Sequence, residues 1–311
     1  MRKLSVAVAV SALLTGAMSV AGCSSSDPAP ADGCVGNGSE ALKTCAKGAT
    51  ITGVDISYYQ GNVNWAQIKG SGRQFAFVRI SDGLNTPDSK FAQNWPAMKA
   101  AGVVRGPYQF FRPGQDPGLQ AQLVLDKLAA AGGLKPGDLP PVLDLETADG
   151  LASSVVVANA KTWLTKIEAA IKVKPIVYTA AFMSNVIGTS FGGYTLWVAN
   201  YGATCPSMPS GWTDWQFWQD ADNGNVAGVS GGVDTDFFNG TLPQLQALTI
   251  KDAAPPPPKD AGAHGSDDVG VTVDTHVIPS GDTPNNGSQG ATLGSGTPTP
   301  VTTGAPLTPC K

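Results

Sequence analysis

Between residues 49 and 250 the apolar positions alternate between two periods. Short runs rich in Val, Ile, Phe, Tyr and Trp, at 52–57, 75–80, 103–110, 141–146, 175–179, 195–199, 214–219 and 232–237, read as strands. Longer stretches at 63–70, 88–101, 117–131 and 153–172, with a shorter piece near 182–188, read as helices. Gly102, Gly132-Gly133 and Pro175 stand at or just past helix ends, where stop signals belong. The order is strand-helix five times, then three strands joined by loops. That alternation predicts an α/β fold with a parallel sheet. Eight strands in roughly 200 residues predict closure into a TIM-like barrel. An open doubly wound sheet is the alternative. No Gly-x-Gly-x-x-Gly follows the first strand, which disfavours a dinucleotide site.

The flanks are built differently. Met1-Arg2-Lys3 is basic, Leu4 to Val20 is apolar and small, and Val20-Ala21-Gly22-Cys23 closes the segment. This is the pattern of an export signal over 1–22, and it resembles a bacterial lipobox. The resemblance implies cleavage before Cys23 and lipid attachment to it. The segment is short for a spanning helix. An exported, lipid-anchored envelope protein is therefore expected, with an ordinary secretory signal as the alternative. Residues 23–48 read as a flexible tether, 49–250 as the folded domain, and 251–311 as a disordered tail that starts near Pro255-Pro256-Pro257-Pro258.

Outside the cytoplasm the remaining cysteines can pair. Cys34 and Cys45 are close enough in sequence to close a small loop. Cys205 can reach Cys310 only if the tail folds back. His264 and His276 both lie in the tail and no Cys-x-x-Cys exists, so neither a metal nor another cofactor is expected. A net charge of −4 gives no sign of nucleic-acid binding, and a monomer is expected.

Acids recur at the ends of the expected strands. Pro141-Val142-Leu143-Asp144-Leu145-Glu146 places Asp144 and Glu146 on one face of a strand, with Val142 behind them. Neighbouring carboxyls oppose each other's ionisation, so one is expected to hold a proton near neutrality. A protonated acid beside an ionised one is the pairing that glycosidic cleavage uses. Asp55 ends the first strand. Asp234 ends the eighth, which neighbours the first in a closed barrel. Tyr58, Tyr59, Tyr108, Tyr178, Trp197, Tyr201 and Trp218 fall near the same ends, where they suit sugar faces. Gln109, Asn200, Gln216 and Gln219 can bond hydroxyls and amides, whereas Phe110, Trp215 and Phe217 are expected in the core.

These pieces resemble glycoside hydrolase family 25, the Chalaropsis-type lysozymes. The resemblance rests on Gly53-Val54-Asp55-Ile56-Ser57, Phe77-Val78-Arg79-Ile80-Ser81-Asp82-Gly83, Gly106-Pro107-Tyr108-Gln109-Phe110, the acidic strand 141–146, Leu196 to Tyr201, Trp215 to Gln219, and Val233-Asp234. It covers most of 51–245. It implies a modified (β/α)5(β)3 barrel and cleavage of the β-1,4 bond from N-acetylmuramic acid to N-acetylglucosamine in peptidoglycan. It implies Glu146 as general acid and Asp144 as support for the acetamido group, with Asp55 and Asp234 lining the cleft. Tyr108, Gln109, Tyr178, Trp197, Trp218 and Arg79 are the expected substrate-binding residues.

The chain departs from the common family pattern at four positions. It has Arg79, Asp82, Gln109 and Asp236 where Lys, Glu, His and Asn are frequent. Asp236, if it faces the cleft, is expected to raise the pKa of Glu146. Two other readings stay open: a wall-binding lipoprotein without activity, and a glycosidase for another N-acetylated glycan. Direct attack by a carboxylate and inversion through water also remain possible mechanisms.

Overall fold

The computed structural model describes residues 41–252. The signal segment, Cys23, Cys34, most of the tether and the tail with Cys310 lie outside the described residues.

Nine strands form one sheet. In chain order they are β1 (Ile51–Ile56), β2 (Phe75–Asp82), β3 (Thr86–Pro87), β4 (Val104–Phe110), β5 (Val142–Asp144), β6 (Ile176–Ala180), β7 (Thr195–Ala199), β8 (Phe217–Gly224) and β9 (Val233–Phe238). β3 is a short flap paired only with β2. The other eight close into a ring, because β1 bonds both β2 and β9. The helices are α1 (Trp65–Gly70), α2 (Phe91–Ala100), α3 (Pro117–Ala130), α4 (Ser153–Ile171), α5 (Ser184–Ile187) and α6 (Leu242–Ala247). The first five follow β1, β3, β4, β5 and β6, which gives the five-plus-three order of a TIM-like barrel.

Strand alternation sorts the side chains into two cores. Val54, Ile56, Val78, Ile80, Leu143 and Leu145 point outward beneath the helices. Phe75, Phe77, Val142, Ile176, Phe217 and Phe238 point inward and fill the ring. Small residues beside large ones make room for this filling. Phe75 lies opposite Gly53 and Phe77 opposite Gly106. A Cβ on Gly53 would stand 2.5 Å from the Phe75 ring, and one on Gly106 2.6 Å from the Phe77 ring. The interior is thus a solid aromatic plug, and a ligand can enter only at its ends.

Three expectations are corrected. The ring is not wholly parallel: β9 runs antiparallel to both β8 and β1. α6 has no counterpart among the expected helices. Its Leu245 packs into the interior core with Leu242 and Leu248, and stoppers the ring at the end where the parallel strands begin. The tether is not free up to residue 48. Thr44 N–H bonds Pro206 O, Met208 N–H bonds Leu42 O, and Cys45 is disulfide-bonded to Cys205 with 4.6 Å between Cα atoms. That bond replaces both expected pairings, Cys34 with Cys45 and Cys205 with Cys310. Sequence distance favoured a local loop, but the fold brings residues 160 apart together.

Candidate active site

A cleft of about 410 Å3 opens where the parallel strands end. Asp55, Asp144, Glu146 and Asp234 all line it, with Arg79, Asp82, Tyr108, Tyr178 and Trp197. Asp55 is the fifth residue of β1 and has Phe77 and Asp234 as its register partners on either side. Asp144 is the last residue of β5, and Glu146 lies just beyond it. The alternation continues past the strand, because Leu145 N–H still bonds Tyr178 O at 2.9 Å. Asp234 was expected at the end of a parallel strand. It sits near the start of an antiparallel one, which reaches the same rim from the opposite direction.

Two expected contacts are corrected. Gln109 is fully buried and faces outward. It donates to Ser81 Oγ at 2.8 Å and to Gly83 O, and accepts from the Trp163 indole of α4 at 2.7 Å. Its neighbour Tyr108 takes the inward face, so strand alternation excludes Gln109 from the cleft. Trp218 also points outward. It belongs to the outer core, packs on Trp215 and Phe237, and donates to Asn200 O. Conversely, Phe110 was expected in the core but lines the cleft, with the Arg112 guanidinium 4.3 Å from its ring centre.

Burial without a counter-cation governs the charges. Asp55 is pushed well above the usual carboxylate range, first by desolvation and then by Asp236 and Asp234, against a hydrogen bond from Gln219. Asp144 is pushed well up by burial and then by Glu146, and its Oδ1 is buried with no partner. Burial raises Glu146; Arg112 opposes the shift and Asp82 adds to it. Arg112 is largely committed elsewhere: its Nε and Nη2 bind Asp82 at 2.5 and 2.7 Å, and Nη1 lies 3.7 Å from Asp149. Asp234 rises to about 6, by burial and then Asp222.

Asp236 does not reach the cleft surface. It is buried below Asp234, and its Oδ1 accepts the Trp197 indole N–H at 2.8 Å. Its charge bears on Asp55, in place of the expected action on Glu146. Among the described residues no group of three or more His, Cys, Asp or Glu is placed to hold a metal ion.

Sequence reasoning gave no role to two cleft residues, Ser57 and Gln60, and only a general one to Tyr59 and Gln219. Ser57 and Gln60 form a reciprocal cap on the turn after β1, and Tyr59 stands exposed at the rim there. Gln219 received only a general polar role, yet it bonds two of the acids. Its signal was available: strand parity from Phe217 puts Gln219 inside the ring.

The chain can therefore present a protonated carboxyl and an ionised one to a sugar-sized ligand over an aromatic floor. Known proteins share this arrangement's fold and sequence. The family model described as Glycosyl hydrolases family 25 matches residues 54–229. Lysozyme M1 of Streptomyces globisporus is 35% identical over 211 residues, covering 64% of this chain and 71% of that protein. The N,O-diacetylmuramidase of Chalaropsis is 32% identical, covering 64% of this chain and 99% of that protein. The crystal structure of the bacterial lysozyme from Streptomyces coelicolor superposes with a TM-score of 0.60 at 32% identity, covering 65% of this chain and 97% of that one. On these matches the chain is a glycoside hydrolase and belongs to glycosyl hydrolases family 25.

Proposed function

We propose that this protein is a muramidase that hydrolyses the β-1,4 bond between N-acetylmuramic acid and N-acetylglucosamine in peptidoglycan. The observation that carries the reading is the set of buried acids at one end of the ring, with protonation favoured by burial and no cation bonded to Asp55, Asp144 or Glu146. Glu146 is the general acid. It is the more exposed of the β5 pair and can reach a leaving oxygen while protonated. Asp144 stands beside it with a free buried oxygen, suited to accept the acetamido N–H as that group attacks the anomeric carbon. This substrate-assisted route departs from the two-carboxylate scheme and needs no protein nucleophile. Asp55 and Asp234 position substrate and water on the opposite wall. Tyr108, Tyr178 and Trp197 floor the sugar site, and Arg79 offers its guanidinium at the edge.

Export with lipid attachment at Cys23 belongs to the same proposal. It is supported by the segment 1–23 and by a disulfide that needs an oxidising compartment. The lipidated Cys23 would hold a monomeric enzyme at the membrane, with residues 24–41 as spacer. The test is digestion of purified peptidoglycan by residues 41–252, followed by borohydride reduction and mass spectrometry. Reduced muramic acid ends are expected. Reduced glucosamine ends would keep a hydrolase and reject the bond assigned. Intact glycan strands bound by folded protein would favour a wall-binding module.

A further inference from the structure

Gln219 bridges the two walls of the cleft from beneath. It lies on the inward face of β8 and is 3% exposed. Its Oε1 accepts two phenol hydrogen bonds, from Tyr178 Oη at 2.7 Å and Tyr201 Oη at 2.8 Å. Two donors fill the lone pairs of an amide oxygen. Turned over, the amide could still donate to the two phenol oxygens, but Oε1 would then face two carboxyl groups and repel either one when ionised. The amino group is therefore fixed toward the acids: Nε2 donates to Asp55 Oδ2 at 2.6 Å and to Asp234 Oδ2 at 3.3 Å. An amide nitrogen has two N–H groups, one for each acid. The acids themselves are register partners on adjacent antiparallel strands.

We propose that Gln219 is a positioning residue of this enzyme: locked by Tyr178 and Tyr201, its amide divides its two N–H groups between Asp55 and Asp234 and fixes where both carboxyl groups stand. The proposal rests on the hydrolase reading above. Its electrostatic consequence follows from the surroundings of Asp55. Asp234 and Asp236 on β9 and Asp144 at the end of β5 disfavour its ionised form, while the Tyr108 phenol on β4, which Asp55 itself holds in its neutral form, adds no charge. Arg79 on β2 is bonded to Asp88. Gln219 thus supplies the hydrogen bond that lowers Asp55 against these neighbours. Tyr201 belongs to the segment that Cys205 ties to Cys45, so the lock extends to the disulfide.

The test is Gln219→Glu, which keeps the side-chain shape and still accepts from both phenols but, while ionised, donates nothing to the acids. Carbon-13 carboxyl titration of the substrate-free protein should show Asp55 and Asp234 titrating at higher pH than in wild type. With peptidoglycan, kcat should fall about 100-fold with KM little changed, the size expected for misplacing groups at the reacting centre. The Tyr178→Phe/Tyr201→Phe double variant, which frees the amide to turn, should reproduce part of that loss. It carries the test if Gln219→Glu does not fold. A folded variant with wild-type kcat and wild-type carboxyl titration would overturn the proposal. Failure of wild type itself to cut peptidoglycan would instead reject the hydrolase reading, and the titration would still decide the role of Gln219.

Discussion

The two ends of the ring treat buried acids in opposite ways. Where the parallel strands begin, Asp138 is buried but fully partnered. Arg105 grips it through Nε and Nη2, both at 2.9 Å, Lys99 adds a contact at 2.9 Å, and the Lys135 N–H another at 2.8 Å. Arg105 is itself stacked on Trp95. Where those strands end, Asp55, Asp144 and Asp236 are as deeply buried with no cation bonded to any of them. The fold is therefore able to neutralise a buried carboxylate and does so where only stability is at stake. Unpaired acids at the other end are costly to ionise, and the cost is what keeps protons available for chemistry. Cavity size does not mark the site: a pocket of about 590 Å3 at the first end is lined by Lys172, Lys174, Ile176 and Leu248 and presents no pair of acids.

That contrast can be broken by substitution. The largest effect is expected from Glu146→Gln, which keeps shape and removes the transferable proton. Turnover of peptidoglycan should fall by about 10³-fold or more, within the range for loss of a general acid, while glycan binding and the unfolding midpoint persist. At the other end Asp138→Ala leaves Arg105 buried and unpaired. Urea unfolding should show a loss of about 3–5 kcal/mol, with the rate per folded molecule unchanged. If both variants lose rate and stability alike, the two ends are not distinct.

Replacing Cys45 and Cys205 together by Ser should cost about 2–4 kcal/mol through the loop they close. It should also lower the rate modestly, because Tyr201 lies in the clipped segment. Calorimetry of oxidised and reduced wild type, compared with the double variant, checks this. The smallest effect is expected at Asp236→Asn, and it is a slope. A raised carboxyl in the folded state binds its proton more tightly than in the unfolded chain. Its favourable contribution is complete below the ordinary aspartate value of about 4 and is lost as pH rises through the raised folded value. The variant should therefore lose less stability than wild type as pH rises above about 4, and the limb of the pH–rate profile that reports Asp55 should move down. An unchanged limb would remove Asp236 from the site.

The ring, its five helices and the acid-lined cleft were legible because each depends on a local period. Alternation alone puts Asp55, Asp144 and Glu146 on the face of Phe77 and Val142. It failed at Gln109 only because parity was not applied to that residue, one step from the inward Tyr108. What stayed illegible depends on distant chain. The antiparallel direction of β9 is a different case: only residues 225–232 separate it from β8, too few for a parallel crossover, so loop length could have revealed it. α6 follows the last strand, outside the five strand-helix units that the alternation marks, and is held by the packing of Leu245. The Cys45–Cys205 bond joins segments that meet only after the ring has formed.

The central claim is that the acids at the cleft end stay unpaired at a cost to stability because the chemistry needs them so. Asp144→Asn tests it most directly, with calorimetric unfolding and peptidoglycan turnover measured on the same preparations from pH 4 to 8. Because burial and Glu146 raise Asp144 in the folded state, the ionised form weakens the fold as pH rises, and the neutral amide removes that weakening. The account predicts a variant that matches wild type in stability near pH 4, exceeds it at pH 8, and has lost its turnover. Equal stability across the range together with undiminished turnover would contradict it.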